Sequence, residues 1–384
     1  MYNDSRSENE TKQVQKAGKS LSEKLGYQFK SSFSLPKILW IKVNMPGIYD
    51  KTRVFLHQAD YAAGFLSGNY NASDYSNALK TGYDLIENKW PDFIEEELGV
   101  STDKLPRVDK PGTVVGSITK EIADLTGLST KTKVCVGATD GIASALASGI
   151  RKPGDYNTTI GTTLVIKGLA KTITRDPQGR IYSHRHPDGY WIPGAASNTG
   201  GICLNHYFKD RDFAEFDKRV NLSEPSGLIC YPLIGKGERF PFLNGNAEGF
   251  IEGDIKDEVQ HYTSLMEGVG FIERLSYEIM EEQGCDRVNA VYTAGGAAKS
   301  DVWLQIRANI LNRKILVPEV VEAAMGAAIL AASTIKFKGA SEAVDSMVVI
   351  EKEFLPDSSV SAKYNSMYKR FKDACIRRGL MNQN

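Results

Sequence analysis

The stretch Lys133-Val134-Cys135-Val136-Gly137-Ala138-Thr139-Asp140-Gly141-Ile142-Ala143-Ser144-Ala145-Leu146-Ala147-Ser148-Gly149 decides the fold class. Val134 to Gly137 reads as a short apolar strand and Ala138 to Gly141 as a turn. Ile142 to Ser148 reads as a small-residue helix that Gly149 stops. A strand that feeds a helix through a tight turn is α/β architecture. Asp140 stands at the strand end and helix start, where α/β folds place active sites. Aspartate is also a favoured helix N-cap, so pattern alone leaves site and cap open.

Working outward, the pattern changes after Pro153-Gly154. Tyr156 to Ile160, a Gly161-Thr162-Thr163 turn and Leu164 to Lys167 read as a β-hairpin. The boundary near residues 149 to 154 predicts two domains, 1–150 and 151–384. In the second, Val288 to Tyr292 reads as a strand and Thr293 to Lys299 as a Gly/Ala turn. Asp301 to Leu311 reads as an amphipathic helix, Lys314 to Pro318 as a strand, and Glu322 to Thr334 as a buried Ala-rich helix. In the first, some thirty polar residues open the chain as helix or loose surface. Periodicity firms up at Leu35 to Ile41, and a helical run to Leu66 ends at Gly68. A short strand and a helix from Ile118 to Leu125 precede the deciding stretch.

The length of 384 residues suits two to three domains at about 150 residues each. With Lys+Arg 47 and Asp+Glu 47, the neutral chain gives no electrostatic case for nucleic acid or an anionic membrane as partner. The polar start carries no signal-peptide pattern, and Ala323 to Ala332 is too short to span a bilayer. Cys135, Cys203, Cys230, Cys285 and Cys375 are scattered without C-x-x-C, which predicts reduced thiols in a cytoplasmic protein. His184-x-His186 reads as a surface pair on a strand, and no metal site is expected.

Besides Asp140, three glycine turns could do chemistry. Thr158 to Thr163 exposes backbone N–H groups and hydroxyls that suit phosphate oxygens, or is an ordinary hairpin. Ser197-Asn198-Thr199-Gly200-Gly201 precedes a helix from Ile202 to Phe208. Thr293-Ala294-Gly295-Gly296-Ala297-Ala298-Lys299-Ser300 precedes the helix that carries Trp303. Both put glycine at a helix N-terminus, where backbone can approach an anion or a ribose. Tight helix–strand packing explains each Gly pair equally well. Neither a P-loop nor a full G-x-G-x-x-G occurs, which leaves a dinucleotide-dependent dehydrogenase a distant alternative. Trp40, Trp90, Trp191 and Trp303 read as core or cleft-lining, Trp303 alone with a modest case for stacking on a base. Asp60 and Asp74 read as loop or cap residues, and Glu95 to Glu97 as a solvated helix face.

In this order the turns resemble the FGGY family of carbohydrate kinases, from Tyr2 to about Arg370. Tyr2-Asn3-Asp4-x-Arg6 is similar to its W-x-D-x-R element. Ser34-x-x-Lys37-Ile38-x-Trp40 is similar to its K-x-x-W signature, and Asp74 to Gly82 to its T-D-x-S-N-A-S-x-T segment. Gly137 to Gly141 resembles the G-x-x-D-[GS] turn and Gly161 to Thr163 the second phosphate loop. Gly237-Glu238-Arg239-Phe240-Pro241-Phe242 resembles G-E-R-x-P-[FI]. Gly295 to Ser300 resembles the adenosine motif G-G-G-A-[KR]-[SN], with Ala297 for its third glycine. The family's opening D-x-G-T-x-x-x-R pattern does not occur in this sequence. The resemblance therefore implies a first domain truncated at its N-terminus, through a late gene start, a fragment or loss. Such a domain would leave a sheet edge and apolar surface uncovered.

The resemblance implies an actin/hexokinase/Hsp70-like two-domain α/β fold with central mixed sheets flanked by helices. It implies ATP-dependent phosphorylation of a sugar's primary hydroxyl, with Asp140 as the catalytic base and a sugar contact. Asp4 and Arg6 would face the sugar. Gly161, Thr162, Thr163, Gly200, Gly201, Gly295, Gly296 and Lys299 would bind ATP, with Mg²⁺ bridging its phosphates and domain closure excluding water. Residues 156 to 242 resemble xylulose-type kinases, while Gln58 to Asp60, Asp74 to Gly82 and Ser226 to Pro241 resemble D-ribulose kinases. A ketopentose is implied, D-ribulose slightly ahead. The rival readings are an inactive nucleotide- or sugar-binding remnant and one chain of a split kinase whose partner supplies the missing strands. A homodimer is a further possible assembly.

Overall fold

The computed structural model describes residues 4–381. Contacts divide the chain into two compact units. One comprises Met1–Ala147, Tyr182–Ile192 and Val321–Met347. The other comprises Ser148–Ile181, Pro193–Val320 and Val348–Asn384.

In the first unit the polar opening residues form helices Glu8–Ala17 and Lys19–Leu25, which bury Val14, Leu21 and Leu25. Helix Ser34–Asn44 buries Leu35, Ile38 and Leu39, a helical spacing that turns one face inward. Helix Gln58–Ser67 ends at Gly68, whose φ of 76° is left-handed and suits glycine. Strand Ser73–Asp74 pairs parallel with Val108–Asp109, and Val114–Ser117 pairs antiparallel with Lys133–Cys135. These sheets have two strands each among the described residues. Tyr61, Phe65, Leu125 and Leu128 lie exposed on this unit.

Helix Ala323–Ile335 packs on helix Asp140–Ala147 in the same unit. A Cβ at Gly326 would lie 1.9 Å from the Ala143 carbonyl oxygen, so only glycine permits that approach. The helix is not buried all round, as its composition predicts. Gly326, Ile329, Leu330 and Ser333 face inward while Ala324, Ala327 and Ala328 are exposed. Alanine gains little from burial, so Ile329 and Leu330 set the inward face.

The second unit is built on a mixed sheet. Strand Ile350–Phe354 runs antiparallel to Ile315–Pro318, which is parallel to Ala290–Ala294, itself parallel to Asp155–Ile160. Leu164–Gly168 returns antiparallel to Asp155–Ile160 and pairs in turn with residues 194–197. Helix Glu258–Glu282 covers the sheet with Leu265, Met266, Val269, Ile272 and Leu275, all buried. Helix Asp301–Leu311 lies beside it. A fully buried ion pair joins the two helices. Arg307 Nε and Nη2 donate to the Glu273 carboxylate at 2.7 and 2.8 Å, and Arg307 Nη1 donates to Thr293 Oγ1 at 2.8 Å. Thr293 Oγ1 donates onward to the Thr158 carbonyl at 2.9 Å, tying the pair to both central strands.

Candidate active site

In the first unit Asp140 begins helix Asp140–Ala147 and its side chain is exposed. The Thr139 carbonyl accepts from the N–H groups of Ile142 and Ala143, and Asp140 Oδ1 accepts from the Gly141 N–H at 2.6 Å. The turn that carries Asp140 is anchored from behind. The Thr139 N–H donates to Ser76 Oγ at 2.9 Å, and that hydroxyl donates to Asp74 Oδ1 at 2.5 Å. Asp74 also accepts from the backbone N–H of Ser76 and of Asn77, and from Asn77 Nδ2 at 2.6 Å. It is the cap the sequence predicts, and also the base of a brace for the Asp140 turn. Sequence reasoning missed that second role. Burial pushes the Asp74 carboxyl above its ordinary range. Asp60 closes a capping box with His57, and burial raises its carboxyl to about 7.

Asp4 and Arg6 pair with each other, Nε and Nη2 donating to the two carboxylate oxygens at 3.0 and 2.8 Å. The Arg6 side chain holds the Asp4 carboxyl well below its usual value. The guanidinium lies 5.0 Å from the Trp40 ring centroid. The structure thus joins two motifs that the sequence separates by some thirty residues. Tyr2 and Asn3 of the same element lie outside the described residues.

In the second unit all three glycine turns meet at one end of strand Asp155–Ile160. Gly161 to Thr163 form the turn of the hairpin itself, closed by the Gly161 N–H on the Thr163 carbonyl at 3.0 Å. The Gly201 N–H donates to the Gly161 carbonyl at 2.8 Å and the Leu164 N–H to the Thr199 carbonyl at 2.9 Å, so residues 199–201 lie against this turn. Gly295 follows the neighbouring strand, with φ 90°.

The positions differ in why they are glycine. A Cβ would come within 2.6 Å of Thr163 backbone at Gly200, 2.7 Å of the Gly161 oxygen at Gly201 and 2.5 Å of the Ile160 oxygen at Gly295. Packing accounts for those three. At Gly161 and Gly296 a Cβ would meet nothing within 4 Å. Thr162 and Lys299 are exposed beside them. A strand end bordered by glycine backbone, threonine hydroxyls and the Lys299 ammonium suits an anionic ligand.

The N-terminal domain of the FGGY family of carbohydrate kinases matches residues 1–147, and the family's C-terminal domain matches residues 156–335. The chain belongs to the FGGY family of carbohydrate kinases. It is 30% identical to a xylulose kinase of Bacillus subtilis (strain 168), over 97% of this chain and 77% of that protein. It is 26% identical to a gluconokinase of the same organism, over 88% of this chain and 69% of that protein. The crystal structure of a xyloylose kinase from Brucella ovis superposes with a TM-score of 0.86 at 22% identity, covering 100% of this chain and 80% of that one. The actin-like, two-domain α/β fold is the one that the motifs imply. As an FGGY kinase the chain is a phosphotransferase with an alcohol acceptor, and its substrates are a sugar and ATP.

Burial bears on two of the sequence readings, keeping Trp303 in the core and overturning the surface reading of the His184 and His186 pair. Trp303 is 4% exposed and its Nε1 donates to the Met266 carbonyl at 3.2 Å. It is a core residue beneath the turn of this FGGY kinase and offers no face for stacking. His184 and His186 are buried rather than a surface pair. The backbone turns back at Pro187 to Gly189, so that the Asp188 N–H donates to His186 Nδ1 at 3.1 Å, and burial lowers that imidazole to about 4. Among the described residues no group of three or more potential ligands could hold a metal ion, and no helix is long and apolar enough to cross a membrane. Cys135, Cys203, Cys230, Cys285 and Cys375 are not paired with one another.

Proposed function

We propose that this kinase transfers the γ-phosphoryl group of ATP to the primary hydroxyl of a ketopentose, with Asp140 as general base. The observation that carries the reading is Asp140 itself, an exposed carboxylate on a turn braced by Asp74 through Ser76. As the sugar oxygen forms its bond to phosphorus, its proton passes to the Asp140 carboxylate and the bond to ADP breaks. Asp4 and Arg6 are assigned to the sugar. Gly161, Thr162 and Thr163 are assigned to phosphate oxygens through N–H and O–H donors, and Gly295, Gly296 and Lys299 to the adenosine end. Gly200 and Gly201 serve the nucleotide by letting their loop lie against residues 161–163.

Mg²⁺ enters this reading with the nucleotide. A small hard cation of this kind is held largely by substrate phosphates and water, and needs no cage of side chains. When bound it neutralises charge on the phosphates. The names of the xylulose kinase relatives support xylulose as acceptor, and the ketopentose class also admits D-ribulose. Gluconate is a second reading, supported by the gluconokinase relative. The test is ADP release with Mg·ATP and a panel of xylulose, D-ribulose and gluconate, run beside Asp140→Asn. A ketopentose that gives turnover in the native chain, with loss of about 10²-fold or more in the variant, is expected. Turnover with gluconate alone refutes the ketopentose assignment, and an active Asp140→Asn refutes the base.

A further inference from the structure

Glu238 is buried, 4% exposed, and donors surround its carboxylate. Oε2 accepts from the hydroxyls of Ser197 at 2.7 Å, Thr199 at 3.0 Å and Tyr231 at 3.1 Å. Oε1 accepts from the N–H groups of Asn198 at 2.6 Å and Arg239 at 2.9 Å. Three of these donors belong to residues 197–199. The same loop is fastened twice more, by Asn198 Nδ2 on the Gly237 carbonyl at 2.9 Å and by the Thr199 N–H on Ser197 Oγ at 3.0 Å.

Residues 197–199 run directly into Gly200 and Gly201, which lie against Gly161 to Thr163. The Gly201 N–H reaches the Gly161 carbonyl and the Ile202 N–H the Thr162 carbonyl at 3.3 Å. A buried carboxylate is a costly way to fill a core, and apolar side chains fill such space at least as well. What it provides is direction, because each donor is fixed to one oxygen at one angle.

We propose that Glu238 is a positioning residue for phosphoryl transfer. It holds residues 197–201, and through them the Gly161 to Thr163 turn, in the arrangement that takes the phosphates of the nucleotide. This rests on the reading of residues 161–163 as phosphate ligands. Glu238→Gln puts an amide NH₂ where one carboxylate oxygen stood. At Oε2 that removes the acceptor of the Ser197, Thr199 and Tyr231 hydroxyls.

The experiment is titration calorimetry of Mg·ADP into the full chain, with KM for ATP and for the sugar measured beside it. Glu238→Gln is expected to weaken Mg·ADP about tenfold, the scale of one lost hydrogen bond to a charged group, and to raise KM for ATP alike. KM for the sugar stays within about twofold on the same ground. Glu267→Gln is the control. That carboxylate is as deeply buried but bonds Ser226 and Tyr364 and not residues 197–201, and Glu267→Gln leaves Mg·ADP affinity unchanged. A purely structural Glu238 behaves like the control, and that result overturns the proposal. Gly201→Ala separates the two readings, since its Cβ meets the Gly161 oxygen. If Gly201→Ala weakens Mg·ADP and Glu238→Gln does not, Glu238 does not position the turn. If neither does, the phosphate assignment fails and the proposal with it. Should Glu238→Gln not fold, Thr199→Val removes one loop donor and carries the same comparison.

Discussion

Replacing Arg307 tests how the second unit holds its central strands together. The guanidinium and the Glu273 carboxylate are both fully buried, and the arginine donates twice to the carboxylate and once to Thr293. Arg307→Met keeps much of the apolar stem and removes all three bonds. It leaves the Glu273 carboxylate in a closed core beside Tyr277, whose hydroxyl bonds Thr158. Breaking one side of a buried pair costs about 3–5 kcal/mol. At about 2–4 °C per kcal/mol for a domain of 150–250 residues, the unit's melting temperature falls by about 6–20 °C. The double variant Arg307→Met/Glu273→Leu buries no charge at all, and such replacements are about neutral or stabilising by up to about 4 kcal/mol. The assay is thermal and urea unfolding of the native chain, both single variants and the double, read as a double-mutant cycle. A double variant no more stable than the worse single, or a single that loses less than about 1 kcal/mol, refutes the argument that the unpaired charge sets the cost.

Four more outcomes follow from the same structure. Ser76→Ala removes the link between Asp74 and the Thr139 N–H, and is expected to lower kcat while costing about 1–3 kcal/mol of stability; unchanged kcat would show that the brace does not place Asp140. Gly295→Ala unfolds or distorts the turn, because φ is 90° and Ile160 blocks the Cβ, whereas Gly296→Ala keeps the native melting temperature and weakens nucleotide binding in a calorimetric titration. Asp140→Asn leaves the melting temperature unchanged, since the side chain is exposed and an asparagine Oδ1 can still accept from the Gly141 N–H. Glu267 is fully buried and desolvation raises its carboxyl from 4.5 to about 7. A raised carboxyl favours the folded state at low pH, so this contribution is complete below about 4.5 and declines by about 3 kcal/mol as pH rises towards 7. Glu267→Gln removes that slope, and urea unfolding from pH 4 to 8 in both proteins measures it.

Much of the local structure is legible because its signals are local. Helix Asp301–Leu311 has the bounds that the sequence gives it, since Ser300 caps Trp303 at one end and Asn312 takes a left-handed φ of 49° at the other. Helix Gln58–Ser67 stops at Gly68 for the same kind of reason. The hairpin around Gly161 follows from two β-branched runs and a turn. What escapes the sequence is whatever depends on a distant neighbour. No local pattern says that residues 182–192 and 321–347 pack with the first unit rather than the second. The His184 and His186 pair reads as surface because an H-x-H on a strand usually is, and the tertiary structure buries both. The brace from Asp74 to Thr139 joins residues more than sixty apart, and a capping aspartate gives no sign of what its neighbour's hydroxyl will meet.

The glycines show where such reading stops and what structure adds. In sequence, Gly161, Gly200, Gly201, Gly295 and Gly296 are alike, each explained by packing or by a ligand. The fold separates them by a steric criterion alone. Three would drive a Cβ into backbone, so the core would demand glycine there with or without a nucleotide. Gly161 and Gly296 meet open space, and at neither is φ in the left-handed region. Nothing within the chain requires glycine at those two positions. Under the proposed function the nucleotide would approach closely there, and both lie where the loops of the second unit converge. Substitutions at these two glycines therefore test the proposed site without testing the core.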